Sequence, residues 1–531
     1  MMLLLKRVLT PAALAVLAPV TLTAHRPATA AELNMAGIRQ YASEEQVTSI
    51  RTFTEVQPTD WAYQALSNLI ERYGCVAGYP NSRFRGGLAI SRYEAAALLN
   101  ACLDRISEST DESRRLIKEF EMERAVLRGR VDGLEAKVTA LETQAFSTTT
   151  KLHGQATMVI GGTGYSGSAI NSADNTVNTA TSGPLPLSNA VTVNADVQLS
   201  LDTSFTGKDL LRTVLRVGNF DGINNAFGGG GPTSLGQLEV AFQEGSRPYV
   251  VGIDKLYYQA PLGHGFTATL GGRVGQEDML ALWPSVYPSA TVLDVLTLSG
   301  APLAYNNNLG PGAGLWWQNN GWSISGSYVA GNGPDGAPTA GGIGTANAAS
   351  SGTLQLGYQR EQWGAALLYS AIQDNVAAYG TTSLMGFLNG LGTLTQAVAV
   401  SGYWQPRENG WIPSISAGWG ISSTTYQESQ PVGTPTTSQS WSVGLNWNDA
   451  FIQGNSAGMG FGQAPRATAL SGGGNPNDTN WIWEWWYNVQ ITNSISVTPA
   501  VFYLYRPLGQ ETPAGQGFNQ WGALIKTQII F

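Results

Sequence analysis

Side chains able to do chemistry near neutral pH are few and scattered in this chain of 531 residues. Three histidines, His25, His153 and His264, and two cysteines are the whole stock of imidazoles and thiols. A Ser–His hydrolase needs its base beside a nucleophile, and a zinc site needs several such ligands at close spacing. His25 lies in an N-terminal leader, and His153 opens the C-terminal part of the chain. His264 sits in the turn Pro261-Leu-Gly-His-Gly265. No catalytic residue, metal site or cofactor is therefore expected, and enzyme function is set aside.

A different chemistry, the sorting of solutes by charge, has a better candidate. The stretch 275–311 is long, lies between two strand-like segments, and is more apolar than the other connecting stretches. It carries Glu277, Asp278 and Asp294, with Arg273 on the preceding segment. A loop folded into a pore needs apolar residues to pack against the wall, and its carboxylates would then form a constriction. A solvated outer loop has the same composition. The sequence leaves both open.

Several elements must position such a site. Lys6 and Arg7 precede an apolar run from Val8 to Leu22, followed by Ala28-Thr-Ala30, which reads as a signal peptide over 1–31. Residues 1–150 hold 17 acidic and 17 basic side chains. Residues 151–531 hold 20 and 12, so the net charge of −8 resides there. Charged residues make up only 12% of the whole chain, about half the share in an ordinary globular protein. The acidic balance argues against a nucleic-acid partner. Over 107–146, Ile117, Phe120, Leu127, Val131, Leu134, Val138, Leu141 and Ala145 repeat at 3–4 spacing with charged flanks. That pattern predicts a coiled-coil stalk of two or three strands.

From 151 to 531 the pattern changes period. Trp481, Trp483, Trp485, Tyr487, Val489 and Ile491 alternate with Glu484, Asn488 and Gln490. Trp441 to Trp447 and Leu354 to Tyr358 alternate likewise. The C-terminus sets Ala523, Ile525, Thr527, Ile529 and Phe531 against Lys526 and Gln528. One face in lipid and one in a wet lumen reads this way, with Trp and Tyr in girdles. Tight turns near 319–321, 360–362, 407–410 and 492–494 alternate with long Gly/Ser/Thr/Pro stretches at 331–351, 424–438 and 463–479. About 17 candidate strands can be counted. Because both barrel ends should face the periplasm, an even number is expected. The fold class is thus mainly β, a 16- or 18-stranded antiparallel transmembrane barrel over 151–531, in contact with outer-membrane lipid.

The N-terminal part carries a specific resemblance. Phe53-Thr-Glu-Val56, Asp60-Trp-Ala62, Gly78-Tyr-Pro-Asn81, Phe84-Arg85 and Ile90-Ser-Arg-Tyr-Glu94 resemble a surface-layer-homology (SLH) domain over 50–106, a small α-helical module. SLH unit, stalk and Gly/Trp-rich barrel, in that order, resemble the cyanobacterial outer-membrane porins. That group belongs with the carbohydrate-selective porins and is often labelled iron-uptake porin.

The resemblance implies passive diffusion of small ions and solutes, iron and sugars among the cargo classes, and a wall tether. Peptidoglycan, or an anionic polysaccharide linked to it, would be the partner of the SLH unit. Arg92 would pair with an anionic glycan group, Glu55 and Trp61 would line the groove, and Gly78 would allow the tight turn beside it. Glu55 stands where the family has Asp. Cys75 and Cys102 both fall inside this unit, where an oxidising periplasm favours a bridge between them. The module works in threes while the chain holds one copy, so a three-stranded stalk and a homotrimer are expected. A mainly structural tether with little conduction is the rival function.

Overall fold

The computed structural model describes residues 55–56, 64–65, 90–91, 95–96, 99, 111–121 and 149–531, apart from 289–291, 375, 377, 389–391, 409 and 428–429. Residues 14–149 and 150–531 fall into separate compact units. In the first, Glu55–Val56 pairs antiparallel with Ile90–Ser91, which joins the start and end of the SLH-like stretch. Ala65, Ala95, Ala96 and Leu99 are buried. A helix spans Asp111–Glu119. Of the stalk seam, only Ile117 and Phe120 are described. Phe120 is buried and Ile117 part-exposed, while Leu116, outside the seam, is also buried. The signal peptide, Trp61, Gly78, Arg92, Cys75, Cys102 and the seam from Leu127 onward lie outside the described residues.

The second unit is a closed barrel of 16 antiparallel strands. They are β1 (Thr150–Ser166), β2 (Thr192–Thr203), β3 (Leu210–Gly218), β4 (Gly252–Gly263), β5 (Phe266–Gly275), β6 (Leu309–Asn319), β7 (Trp322–Ala330) and β8 (Ser350–Gln359). The wall continues with β9 (Trp363–Gln373), β10 (Thr393–Trp404), β11 (Ser414–Tyr426), β12 (Pro435–Asn448), β13 (Ser456–Leu470), β14 (Trp481–Thr492), β15 (Ile495–Tyr505) and β16 (Asn519–Ile530). The last strand closes on the first in a continuous register from Asn519↔Ser166 to Ile530↔Gln155. Closure pairs the wall strands without leaving a free sheet edge, which hydrocarbon surroundings demand.

The predicted alternation holds on the outside. Leu354, Leu356, Trp485, Ile491, Trp521 and Ile525 are exposed, whereas Gln355, Glu484, Gln520 and Lys526 are buried on the inner face. The number is 16, one of the two even values expected. The connection near 407–410 is not tight, since β10 ends at Trp404 and β11 begins at Ser414. About half of each of the stretches 424–438 and 463–479 is strand, since strands reach to Tyr426, from Pro435 and to Leu470. Their composition reads as loop because the inner face there is Ser and Thr. Thr424 pairs its hydroxyl with Thr395 at 2.7 Å, and Ser422 with Ser438 at 2.6 Å. Such cross-strand pairs stabilise a sheet as apolar pairs do.

Apolar side chains also point inward, which a water-filled lumen does not explain. Val159, Ile482, Trp486, Phe502, Leu504 and Leu524 are buried on the inner face of β1 and β14–β16. They pack against Phe227, Leu235 and Leu238 of the 219–251 loop and against Leu293, Val295 and Leu296 of the 276–308 loop. Two long loops therefore fold into the barrel and build a core there.

Candidate functional site

The 276–308 connection between β5 and β6 is the inner loop, and wall hydroxyls hold its backbone. Ala281 donates its N–H to Ser325 Oγ of β7 at 2.9 Å. Val286 and Tyr287 both donate to Ser416 Oγ of β11, at 2.9 and 3.0 Å. Ser401 of β10 donates to the Ser299 carbonyl at 2.8 Å, and Ser440 of β12 to that of Gly300 at 3.0 Å. Gln276, fully buried, donates to Ala304 O, Thr353 Oγ1 of β8 and Ser370 Oγ of β9 at 2.7–3.0 Å. A buried loop would otherwise strand its backbone polar groups.

Wall glycines make the room. A Cβ on Gly418 would lie 1.8 Å from the Ser299 oxygen, and one on Gly444 would lie 2.6 Å from the Tyr287 ring. The far end of the loop docks on one carboxylate. Glu484 of β14, fully buried, accepts from Tyr287 Oη at 2.6 Å and from the Leu293 N–H at 2.7 Å. Trp486 Nε1 donates to the same Tyr287 oxygen at 2.9 Å. Lys526 lies within the electrostatic field of Glu484 and Glu239.

The two inner loops are joined by backbone bonds. Leu238 bridges Leu293, with Glu239 N–H donating to Val292 O at 3.0 Å and Asp294 N–H to Gln237 O at 3.1 Å. Asp294 begins the short helix Asp294–Thr297 and accepts from the hydroxyl of Tyr379, which lies on the 374–392 loop. Burial pushes the Asp294 carboxyl up to about 6, against the Tyr379 and Thr297 hydroxyls. Glu239 goes up to about 7, through burial first and the Asp294 charge second, with Arg216 and Lys526 opposing.

The remaining inner wall, β2 to β5, is lined by ion pairs. Arg212 binds Asp202 at 2.7 Å. Arg216 binds Asp196 at 2.7 Å and lies 3.7 Å from Asp254. Lys255 Nζ stands 2.6 Å from both Glu277 and Asp278 of the inner loop. Burial raises the Glu277 carboxyl, with Lys255 opposing.

The four expected constriction residues therefore occupy three places. Glu277 and Asp278 converge on Lys255. Asp294 joins Glu239 and Tyr379 where the loops meet. Arg273 pairs opposite Leu256, whose side chain is on the lipid side, across a bulge at Gly271/Arg273, and its Nε donates to Asp254 O at 3.1 Å. Lys255, Arg216 and Glu239 went unmarked in the sequence. For Lys255 and Arg216 the signal was a charge inside an alternating strand, as in Ile253-Asp-Lys-Leu256 and Val214-Leu-Arg-Val217, whereas Glu239 lies on the 219–251 loop and carried no such signal. At the loop-side mouth, Asn175, Ser188, Asn189, Thr192 and Asn224 help line a cavity of about 330 Å³.

Comparison with known proteins gives this geometry a family. The family described as carbohydrate-selective porin, OprB family, matches residues 107–520, and the S-layer homology domain matches 52–96. An uncharacterized protein of Nostoc sp., alr4550, is 31% identical over 91% of this chain and 85% of its own length. Outer membrane protein SlpA of Deinococcus radiodurans is 30% identical over 19% of this chain and 9% of its own. Among solved structures, Pseudomonas putida OprB aligns at 12% identity with a TM-score of 0.45, covering 74% of this chain and 96% of that one.

Proposed function

This chain belongs to the OprB family of carbohydrate-selective porins, and we propose that its solute path runs between the ion-paired wall of β2–β5 and the two inner loops. The barrel is an outer-membrane channel and not an enzyme, with its SLH unit in the periplasm. The carrying observation is the contact of Lys255 with Glu277 and Asp278, where a wall cation meets loop anions at 2.6 Å. Paired charges present donors and acceptors to a hydroxylated solute. The eight carboxylates among the inner residues named above outnumber the four cations, so ions that enter are weakly selected for positive charge. The Asn- and Ser-lined cavity at the mouth supports the same solute class, since such groups match sugar hydroxyls. Iron has no support from a chelating cluster among the described residues.

Purified protein in planar bilayers should give current steps that millimolar neutral oligosaccharide interrupts, with a reversal potential on the cation side. Steps indifferent to sugar would remove the solute assignment. No steps at all would favour the second reading, a tether with little conduction. That reading has its own support, because the apolar core between the loops and β14–β1 closes part of the lumen.

The tether proposal rests on Arg92 as the anion-binding residue, with Glu55, Trp61 and Gly78 around it. The full chain should pellet with purified cell-wall sacculi, and Arg92→Ala should weaken that pelleting strongly. Equal pelleting of both would take Arg92 out of the site. A trimer joined by stalks should lose its N-terminal association on replacing Leu127 and Leu134 by Asp, which chemical cross-linking reads.

A further inference from the structure

Among the described residues, the two most exposed large apolar side chains are Trp411 and Phe451, at 89% and 85% of full exposure. Each has an isoleucine beside it, Ile412 and Ile452, also exposed. They occupy the 405–413 and 449–455 connections, which follow β10 and β12. Since β11 and β12 are neighbours, these connections sit side by side on one rim. This is the rim where the barrel begins at Thr150 and ends at Ile530, the periplasmic one. The connections at 264–265, 320–321 and 493–494 on that rim have only two residues.

The tips are held out by design of the backbone rather than left loose. Asp449 and Phe451 have φ of +54° and +61°, a conformation a bulky side chain adopts only where the surroundings impose it. Gly454 N–H donates to Asp449 Oδ1 at 2.7 Å, and Tyr487 Oη to Ala450 O at 2.9 Å. Asn455 Nδ2 donates to Tyr487 Oη at 2.9 Å. The Phe451 and Tyr487 rings lie 6.1 Å apart. The other turn is tied by Trp447 Nε1, which donates to Trp411 O at 2.9 Å. Trp447 and Tyr487 belong to the lipid-facing rows, so both tips continue that face beyond the end of the wall. Arg407, exposed on the same turn, supplies a cation at the level of the headgroups.

We propose that Trp411, Ile412, Phe451 and Ile452 form a preformed foot that inserts into the periplasmic phospholipid leaflet and anchors the barrel on its β10–β13 side. Trp and Phe favour the membrane interface, where an apolar body meets lipid and a polar end meets water. Continuity with the lipid-facing wall selects phospholipid over a second copy of the chain or the chain's own N-terminal segment as occupant.

The test uses the full chain in outer membranes with a photoreactive benzophenone, Phe451→benzoylphenylalanine. Irradiation should give chain–phospholipid adducts at a yield similar to the same label at Leu367, and at least fivefold above the label at Asp335 in the 331–349 loop. Cross-links to a second copy, to another protein or to residues 1–149, or a lipid yield no higher than at Asp335, would overturn the proposal. As an independent readout, the Trp411→Ser, Phe451→Ser double variant should keep its melting temperature in detergent and lose several degrees in phospholipid vesicles. An equal loss in both would mean that the residues only stabilise the turns.

Discussion

The inner faces of β7–β12 and of β2–β5 belong to one barrel and do different work. On β7–β12 the inward side chains are mostly small, Ser, Thr, Gly and Ala, with Leu368 and Ile372 among them. The hydroxyls bind the backbone of the inner loop, and the glycines let it approach. On β2–β5 they include Arg212, Arg216, Asp196, Asp202 and Lys255, paired with each other or with the loop's own carboxylates, beside Val214, Tyr257 and Val274. A hydroxyl row holds a chain in place without adding charge to the lumen. An ion-paired row sets donors and acceptors of both signs along the wall. The loop is therefore fixed on one side and offers chemistry on the other.

The comparison breaks most severely at the point where the 276–308 loop is anchored. Glu484→Ala would leave the Tyr287 hydroxyl and the Leu293 N–H without their acceptor and would take from Lys526 one of its two neighbouring carboxylates, Glu239 being the other. Loss of one member of a buried charged network costs about 3–5 kcal/mol. Denaturation followed by tryptophan fluorescence should record that loss, and single-channel conductance should become larger and noisier. An unchanged midpoint and conductance would mean that Glu484 does not hold the loop.

Next in size is the glycine side of the comparison. Gly418→Ala sets a methyl against the Ser299 carbonyl, and overpacking of this kind costs roughly 1–3 kcal/mol. The loop should shift off the wall, so conductance rises while the barrel stays folded by its heat-modifiable mobility on gels. Gly352→Ala, at a wall position with open space around it, should leave both quantities unchanged.

The charged side is sharpened by Lys255→Ala together with a pH series. Without Lys255, Glu277 and Asp278 lose their cation, and the reversal potential should move further toward cation selectivity. For the wild type the carboxyls of Glu239 and Asp294 lie above their ordinary values, so the folded protein binds their protons more tightly than the unfolded chain does. They therefore add stability as pH falls through about 7 and 6 toward the unfolded values near 4. Cation preference should weaken over the same window as these charges vanish. Cation preference that strengthens on acidification would contradict this assignment. The smallest effect belongs to a single hydroxyl. Ser401→Ala removes one bond to Ser299 O and should cost about 0.5–1.5 kcal/mol without altering selectivity.

How much of this was legible depends on which face of a strand was being read. The outer face was plain, because lipid accepts only apolar side chains and Trp481, Trp483 and Trp485 had to share a side. Closure with an even strand number also followed, since both ends of the barrel had to lie on one rim. The inner loop was marked by its length and its mixture of apolar and acidic residues, though not by its direction. The strand ends of β11 and β12 were misread as loop, because Ser and Thr on an inner face look like loop composition until their hydroxyls are seen to pair.

The sequence alone determined the architecture, because alternation is a local property enforced by solvent on one side and lipid on the other. The tertiary structure alone decided the inside of the lumen. Gln276 meets Thr353 and Ser370, and Glu484 meets Tyr287 and Leu293, across separations of 77 to 197 residues. Such contacts obey no local period. Only the closed wall could determine that Lys255, rather than Arg273, would stand opposite Glu277 and Asp278, because a one-residue bulge decides which face a side chain takes.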